Sequence, residues 1–212
     1  MIVTKGNTGF MRYRLYNEDC IEVMKDYSDN FFDIAIVDPP YRPVNKVSSS
    51  IAKKDKTKSF RKWHYPNKEY FDELFRVSRD QVIFGGNYFT NYLHPNNNWF
   101  IWYKNNDGLN LSMCEMAWCS IRKNIKLFNY RPMGNLKGFH PTEKPVRLYD
   151  YIYKTYCNKG IKVLDTHLGS ASNAVSAHYH GVDLFVGCEI DKIFYENSIK
   201  RINEDTNQLT IF

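Results

Sequence analysis

The amino-acid sequence predicts an α/β fold built on a largely parallel β-sheet with helices on both faces. Segments with strand character alternate with segments of helical periodicity, which is the pattern of linked strand–helix–strand units. The central strand segments are apolar throughout, rather than at every second residue, which indicates strands buried on both faces. There is no internal repeat, and the 212 residues are expected to form a single domain, residues 1–212.

The first elements are a strand, a helix and a second strand. Residues 11–16 (MRYRLY) predict a short strand, and a helix follows over 17–27 with Asn17 or Asp19 as its N-cap, because both side chains accept hydrogen bonds from the first turn. Residues 32–37 predict a buried strand, since the run is short, apolar and ended by proline.

The middle of the chain predicts one helix and three strands. Residues 68–78 place apolar side chains at helical spacing, and residues 81–86 are an apolar run stopped by glycines. Two aromatic-rich strands are predicted over 98–104 and 113–121.

The last part of the chain returns to the strand–helix alternation. A helix is predicted over 144–157, where Pro145 suits a first turn. The remaining predicted elements are a strand and turn over 161–170, a helix over 172–181, a strand over 184–191 and a final helix over 193–204.

Composition and charge exclude several classes of protein. Five scattered cysteines without a CxxC pair argue against a disulfide framework and a zinc ribbon, so no metal is expected. No apolar run is long enough to cross a membrane and no signal peptide is evident, so a cytoplasmic protein without a membrane partner is expected. Residues 42–62 carry eight basic residues and one acidic residue, whereas the whole chain has a net charge of +6. This basic loop is expected to be a mobile surface segment.

The turn after residue 165 is typical of nucleotide sites. The stretch VLDTHLGSASNAVSA reads as a strand, a small-residue turn and a helix start, and Glu189 follows Asp165 by 24 residues at the end of the next strand. This arrangement places backbone amides beside a carboxylate able to hold ribose hydroxyls. The alternative is an ordinary strand–helix turn with a surface acid. Since the full GxGxxG pattern is missing, a single adenosine-containing cofactor is favoured over a dinucleotide.

Five motifs in a fixed order carry a resemblance to a known family. They are DPPY (38–41), FGGNY (84–88), HPTEKP (140–145), LDTHLGS (164–170) and GCEID (187–191). Together they resemble the beta class of S-adenosylmethionine-dependent DNA amino-methyltransferases, over roughly residues 13–201. The resemblance implies a Rossmann-like seven-stranded sheet in the circularly permuted methyltransferase topology, with the catalytic motif before the cofactor turn.

The resemblance also implies site residues. The cofactor S-adenosylmethionine would be held near its adenine by Asp19, at its ribose by Glu189 and at its methionine end by residues in which Lys144 neutralises a carboxylate. The cofactor residues implied are Asp19, Asp38, His140, Thr142, Lys144, Asp165, His167, Leu168, Gly169, Ser170 and Glu189. His167 stands where the family often has Phe, and Ala171 stands where it has a second glycine; an alanine there suits a helical N-terminus.

The DPPY motif provides the chemistry for methylating an exocyclic amine. Asp38 and the Pro39 carbonyl can each accept one amino N–H, and Tyr41 offers a stacking face for a base flipped out of its duplex. Pro39 and Pro40 fix the backbone and remove competing N–H donors. The catalytic residues are therefore Asp38, Pro39, Pro40 and Tyr41. Asp at the first position resembles the adenine-N6 branch; cytosine-N4 or RNA methylation, or a catalytically silent DNA-binding protein, are the alternatives.

Two basic segments are expected to bind double-stranded DNA. The basic loop follows Tyr41 directly, so its charges should meet phosphates beside the flipped base. The segment 121–139 is a short target-recognition segment with five bases and no acid, which predicts a short or relaxed target sequence. The DNA-binding residues predicted are Arg42, Lys46, Lys53, Lys54, Arg61, Lys62, Arg122, Lys123 and Arg131.

The C-terminal tail, residues 205–212, ends in a peptide that resembles a clamp-binding sequence. In Gln208–Phe212 a glutamine is followed by spaced apolar residues, as in the short peptides by which bacterial DNA enzymes attach to the sliding clamp. The alternative is a tail that folds back on its own sheet. Both a monomer and a homodimer are compatible with the sequence, in a bacterial or phage-infected cell.

Overall fold

The computed structural model describes residues 2–5, 11–41, 65–109, 112–132 and 138–206. The predictions for the basic loop (42–62), and for its residues Arg42, Lys46, Lys53, Lys54, Arg61 and Lys62, lie outside the described residues. So does the predicted clamp-binding peptide Gln208–Phe212. No helix in the described ranges combines the length and apolar character needed to cross a membrane.

In the described part of the chain, nine strands form one mixed sheet in the order β1-β2-β9-β8-β3-β4-β6-β5-β7. The strands are β1 (Ile2–Lys5), β2 (Arg12–Tyr16), β3 (Phe32–Val37), β4 (Ser78–Phe84), β5 (Trp99–Tyr103), β6 (Cys114–Cys119), β7 (Lys126–Asn129), β8 (Lys162–Asp165) and β9 (Leu184–Cys188). β1 is antiparallel to β2, and β6 is antiparallel to both of its neighbours. The other pairs are parallel, which confirms the predicted mostly parallel sheet.

The predicted count of seven strands is corrected to nine in the described part of the chain. The two strands that the prediction missed, β1 and β7, are the outermost strands of the sheet and have four residues each. In β7 the side chains alternate between half-buried and exposed, because only one face of an edge strand packs on the protein. Without these two edges the order of the remaining strands follows the predicted permuted arrangement, in which β3 precedes β8 in sequence and lies beside it in the sheet.

Five α-helices in the described ranges cover the sheet on both faces. They are α1 (Cys20–Lys25), α2 (Lys68–Val77), α3 (Val146–Tyr156), α4 (Ser172–His180) and α5 (Lys192–Thr206). Apolar residues of α1 and α2, such as Met24, Phe71 and Leu74, pack on one face. Residues of α3, α4 and α5, such as Ile152, Val175 and Ile202, pack on the other face. The two cores explain why β3 and β9 are apolar on both sides.

The start of α1 shows which of two predicted caps operates. Asp19 is the N-cap, and its Oδ1 accepts a hydrogen bond from the Ile21 amide at 2.8 Å. Asn17 instead donates its side-chain amide to the Glu189 carbonyl at 2.8 Å. Asn17 therefore joins the end of β2 to the end of β9, beside one of the predicted cofactor residues.

The topology brings the motifs together at one edge of the sheet. Asp38 follows β3, Asp165 ends β8 and Glu189 follows β9, and these three strands are parallel. β8 and β3 are neighbours in the sheet. β9 lies on the other side of β8 and β4 lies on the other side of β3, so the strand order changes direction between β8 and β3. In open α/β sheets ligands bind at such a switch point, outside the carboxyl ends of the strands.

Candidate active site

A cavity of about 1230 Å³ lies at the carboxyl edge of the sheet. This volume exceeds that of an ordinary small-molecule pocket, which is roughly 300–1,000 Å³. Most of the predicted site residues line it: Asp19, Asp38, Pro39, Pro40, Tyr41, Arg131, His140, Thr142, Lys144, His167, Leu168, Gly169, Ser170 and Glu189. Residues from motifs more than 100 positions apart in the sequence therefore share one space.

Asp165 organises the turn after β8 from within the protein. Its carboxyl accepts a hydrogen bond from the His167 amide at 3.1 Å and another from the Asn173 side chain at 3.0 Å. It is buried and does not line the cavity, so its predicted place in the cofactor turn is a supporting one. Burial, only partly offset by these hydrogen bonds, raises the pKa of Asp165 to about 7.

Asn173 joins the cofactor turn to the catalytic strand. Its side-chain nitrogen donates to Asp165 and to the Ile36 carbonyl at 3.1 Å, and its oxygen accepts from the Tyr153 hydroxyl at 2.8 Å. The residue is fully buried. Because Ile36 lies two positions before Asp38, Asn173 fixes the distance between the two motifs. This role could not be predicted from the sequence, where the only signal is a polar residue at the start of an otherwise small-residue helix.

The turn between β8 and α4 uses two left-handed residues. Gly169 has φ +52°, and a Cβ there would lie 3.3 Å from Cε1 of His140, so the imidazole covers the glycine closely. Ala171 has φ +61° and is the N-cap of α4. The expectation that Ala171 would take a helical conformation is therefore wrong, because the turn requires positive φ at this position as well. The conformation costs an alanine about 1–2 kcal/mol.

Glu189 is held at the end of β9 by backbone amides. One carboxyl oxygen accepts from the Gly169 amide at 3.0 Å and the other from the Asp191 amide at 2.9 Å. The side chain faces the cavity, as does Asp19 on the neighbouring turn. Burial raises the pKa of Glu189 to about 7, although the amides work in the opposite direction.

Helix α5 supports the turn from below through Ser198 and Arg201. Ser198 donates its hydroxyl to the Gly169 carbonyl at 2.6 Å. Arg201 donates to the Ser170 carbonyl at 2.8 Å, to the Ser172 hydroxyl at 3.0 Å and to Glu143 at 2.8 Å. Both charged side chains are buried, at 4% and 1% exposure. This pair ties the HPTEKP segment to the cofactor turn, and nothing in the spacing of the sequence indicated it.

His167 is a wall residue of the cavity. Its Nδ1 lies 2.9 Å from the Thr166 hydroxyl, and its ring meets Tyr70 edge-on at 5.8 Å. Burial lowers the pKa of His167 to about 4, so the imidazole is neutral at physiological pH. A neutral ring in this position occupies the space that an aromatic residue would fill.

Asp38 lies at one end of a chain of alternating charges. Lys144 donates to Asp38 Oδ2, and the Lys144 Nζ lies 3.2 Å from Glu115 Oε2 as an ion pair outside hydrogen-bond geometry. Glu115 also accepts from Lys104. The second oxygen of Asp38, Oδ1, is buried and accepts no hydrogen bond from any described residue. A buried unpaired carboxylate oxygen is costly, and Oδ1 is available to accept a hydrogen bond from a group that enters the cavity.

The charges around Asp38 set its protonation. Burial raises the pKa of Asp38, and Lys144 offsets only part of this. Burial acts in the same direction on Glu115, but Lys144 and Lys104 outweigh it and lower the pKa of Glu115 to about 2. The two carboxylates in turn raise the pKa of Lys144 against the effect of its own burial. In this structure the ammonium of Lys144 is paired with Asp38 and Glu115. Its predicted contact with a carboxylate of the cofactor therefore stays a prediction.

Tyr41 is packed by the FGGNY motif. Its ring stacks on Tyr88, with centroids 5.0 Å apart and planes at 12°. A Cβ on Gly85 would lie 2.3 Å from Cδ1 of Tyr41, and Gly85 has φ +67°, so both the ring and the turn require glycine. FGGNY therefore positions the aromatic ring that the DPPY motif supplies.

Arg122 and Lys123 lie at the opposite edge of the sheet from the cavity. β6 is antiparallel, and the Ser120 amide donates to the carbonyl of Gln81, toward the amino end of β4. Lys123 donates to the carbonyl of Thr155 near the end of α3. Both were predicted to bind DNA as part of the target-recognition segment, and this geometry places them away from the cavity. β7 then returns the chain toward the edge of the sheet that carries the cavity. Of the predicted DNA-binding residues Arg122, Lys123 and Arg131, only Arg131 lines the cavity.

Comparisons with known proteins agree with the motifs. Residues 110–201 match the family model N6_N4_Mtase, described as DNA methylase. The type II methyltransferase M.HpaI of Haemophilus parainfluenzae is 23% identical, over 93% of this chain and 76% of that protein. M2.MboI of Moraxella bovis is 26% identical, over 92% of this chain and 89% of its own length.

A solved structure shows the same fold. The crystal structure of the M1.HpyAVI–SAM complex superposes with a TM-score of 0.63 at 20% identity, over 90% of this chain and 99% of that one. The sequence and structure matches confirm the resemblance on which the sequence analysis relied.

Proposed function

We propose that this chain, an S-adenosylmethionine-dependent DNA methyltransferase of the N6/N4 family, methylates the N6 amino group of an adenine flipped out of its duplex. The observation that carries the proposal is the free acceptor Oδ1 of Asp38, buried at a cavity that also contains the cofactor turn. An aspartate rather than a serine at the first position of the DPPY motif favours adenine over cytosine.

The residues at one end of the cavity fit an adenosine-containing cofactor. Glu189 is fixed by two amides and faces the cavity, where it can accept from ribose hydroxyls. Gly169 leaves the space that a Cβ would fill beneath His140. Asp19 would meet the adenine, and His140 and Thr142 would flank the methionine. The bound cofactor supplies an activated methyl group on a sulfonium.

The work of the chain is to orient the amine that attacks this methyl. An adenine amino group is a poor nucleophile because its lone pair is delocalised into the ring. Asp38 Oδ1 accepts one N–H, and the carbonyl of Pro39 accepts the other, which favours a pyramidal nitrogen with its lone pair directed at the methyl group. Pro39 and Pro40 have no N–H that could compete for these acceptors. The catalysis is therefore positioning for in-line transfer.

Two aromatic rings provide the platform for the flipped base. Tyr41 lies in the cavity wall and is backed by Tyr88, whose ring is half exposed. Stacking on such a ring contributes roughly 1–3 kcal/mol per base. This offsets part of the cost of taking the base out of the duplex, which is a few kcal/mol.

The DNA would reach the cavity past basic residues. Arg131 lies at the cavity wall. Tyr41 lines the same cavity, and the basic loop 42–62 follows Tyr41 directly in the sequence. Their phosphate contacts would make the affinity strongly dependent on salt. The short segment that returns to the cavity after β7 supports the proposal of a short or relaxed target sequence.

The test is methyl transfer with a labelled cofactor. Purified protein is incubated with double-stranded DNA and methyl-labelled S-adenosylmethionine, and the DNA is digested to nucleosides. Label in N6-methyldeoxyadenosine is expected. Label in N4-methyldeoxycytidine, or label in RNA but not in DNA, would assign the same pocket to a different substrate and overturn the proposal. Absence of label with retained cofactor binding would point to a catalytically silent DNA-binding protein.

A further inference from the structure

The charge chain at Asp38 extends to two residues outside every motif. Lys104 follows β5 and Glu115 lies on β6, and neither belongs to the five motifs that identify the family. Glu115 is paired across the strands with Trp102, and the Lys104 amide donates to the carbonyl of Met113 at 2.9 Å. The backbone of two neighbouring strands therefore fixes where the Glu115 carboxylate lies. Both side chains are four-fifths buried and line the cavity.

Glu115 determines how Lys144 can approach Asp38. The ammonium of Lys144 lies between the two carboxylates, donates to Asp38 Oδ2 and stays 3.2 Å from Glu115 Oε2. The Phe84 ring lies 4.8 Å from the same ammonium. In this position Lys144 contacts one oxygen of Asp38 and leaves Oδ1 without a partner among the described residues. Glu115 is the carboxylate that draws the ammonium away from the second oxygen of Asp38.

We propose that Glu115 and Lys104 are positioning residues for the transfer: Glu115 holds Lys144 on one oxygen of Asp38, so that the other oxygen stays free for the substrate amine, and Lys104 balances the charge of Glu115. This inference rests on the proposed function for its consequence in catalysis. Its structural part, the control of Asp38 by Glu115, holds for the protein without any ligand.

Glu115 and Lys104 have opposite effects on the pKa of Asp38. The titratable groups that face Asp38 come from several elements: Lys104 after β5, Glu115 on β6, Lys144 in the HPTEKP motif, Tyr149 on α3 and Asp165 on β8, with Tyr41 acting on Lys144. Among them Glu115 raises the pKa of Asp38 and Lys104 lowers it. Removing the charge of Glu115 should therefore lower the pKa of Asp38. Removing the charge of Lys104 should raise it.

The first experiment measures Asp38 directly. The side-chain carboxyl carbons of aspartate are labelled with carbon-13, the Asp38 signal is assigned by its loss in Asp38→Asn, and the signal is titrated by NMR in the ligand-free protein. We expect the midpoint to move down in Glu115→Gln and up in Lys104→Gln. Glu196→Gln on the exposed side of α5 removes the same charge far from the cavity and should leave it unchanged. A midpoint that does not move in Glu115→Gln, or moves the same way in both variants, overturns the inference.

The second experiment separates positioning from a merely structural role. At saturating DNA and cofactor, Glu115→Gln should reduce kcat by roughly 10- to 100-fold, in line with the cost of misplacing a reacting group. The dissociation constant of the cofactor should change less than twofold, and the acid limb of the kcat profile should follow the NMR midpoint. If Glu115→Gln reduces kcat but the acid limb of its pH profile stays where it is in the wild type, the inference is overturned. Failure of the wild type to transfer methyl would refute the proposed function, and the NMR titration would still decide the structural part.

Discussion

The buried ion pair between Arg201 and Glu143 should be one of the strongest contributors to the stability of the cofactor turn. The two side chains are 4% and 1% exposed, and Arg201 also donates to the Ser170 carbonyl and the Ser172 hydroxyl. Removing Arg201 takes the paired guanidinium away from a buried carboxylate and costs about 3–5 kcal/mol. This is a large share of a total stability of roughly 5–15 kcal/mol. For a chain of this size it lowers the melting temperature by about 10 °C.

Urea unfolding of Arg201→Met measures this loss. Lys200→Met on the same helix is the matched control, because its pair with Glu204 is exposed and 3.8 Å long, and it should cost less than about 1 kcal/mol. The double variant Arg201→Met with Glu143→Met should lose less than the sum of the single variants, since it removes both charges together. A loss in Arg201→Met no larger than in Lys200→Met, or additive losses in the double variant, would refute the reasoning.

Three further predictions concern the site. Asp38→Ala should abolish methyl transfer and keep cofactor binding, and transfer at the wild-type rate would contradict its role. Gly85→Ala should reduce transfer by tenfold or more through displacement of Tyr41, since its Cβ would lie 2.3 Å from that ring; an unchanged rate would contradict the packing. In His167→Phe the stability relative to wild type should rise by up to about 3 kcal/mol as pH falls from about 6.5 to about 4, because the buried imidazole has a lowered pKa and opposes protonation that the unfolded chain allows. The free energy of unfolding of both proteins is measured with urea at each pH. If the two values change in parallel with pH, the prediction is wrong.

The sequence is sufficient to place the motifs but not the groups that support them. Asp38, Gly169 and Glu189 follow apolar strands, and parallel strands bring their carboxyl ends to one edge, so their meeting could be derived from the alternation of elements. Arg201, Asn173 and Glu115 could not be found in this way. Their partners in these contacts are 29 to 137 positions distant, and only the folded chain determines those contacts.

The direction of one strand explains why part of the target-recognition segment lies away from the cavity. The segment 121–139 is basic and follows an aromatic strand, which suggested that all of it lies near the DNA. Because β6 runs antiparallel to β4, the chain leaves it at the edge away from the cavity, and Arg122 and Lys123 lie there. Strand direction cannot be deduced from the composition of a single strand. The short edge strand β7, with its half-exposed side chains, was missed for a similar reason, since its pattern does not differ from that of a loop.

The most direct test of the central claim is the identity of the methylated base in cellular DNA. The chain and its Asp38→Ala variant are expressed in a bacterial host that lacks its own DNA methyltransferases, and the genomic DNA is digested and analysed by mass spectrometry and methylation-sensitive sequencing. We expect N6-methyldeoxyadenosine at a short or relaxed sequence with the wild type and none with Asp38→Ala. N4-methyldeoxycytidine as the product, or equal N6-methyldeoxyadenosine from both proteins, would contradict this expectation.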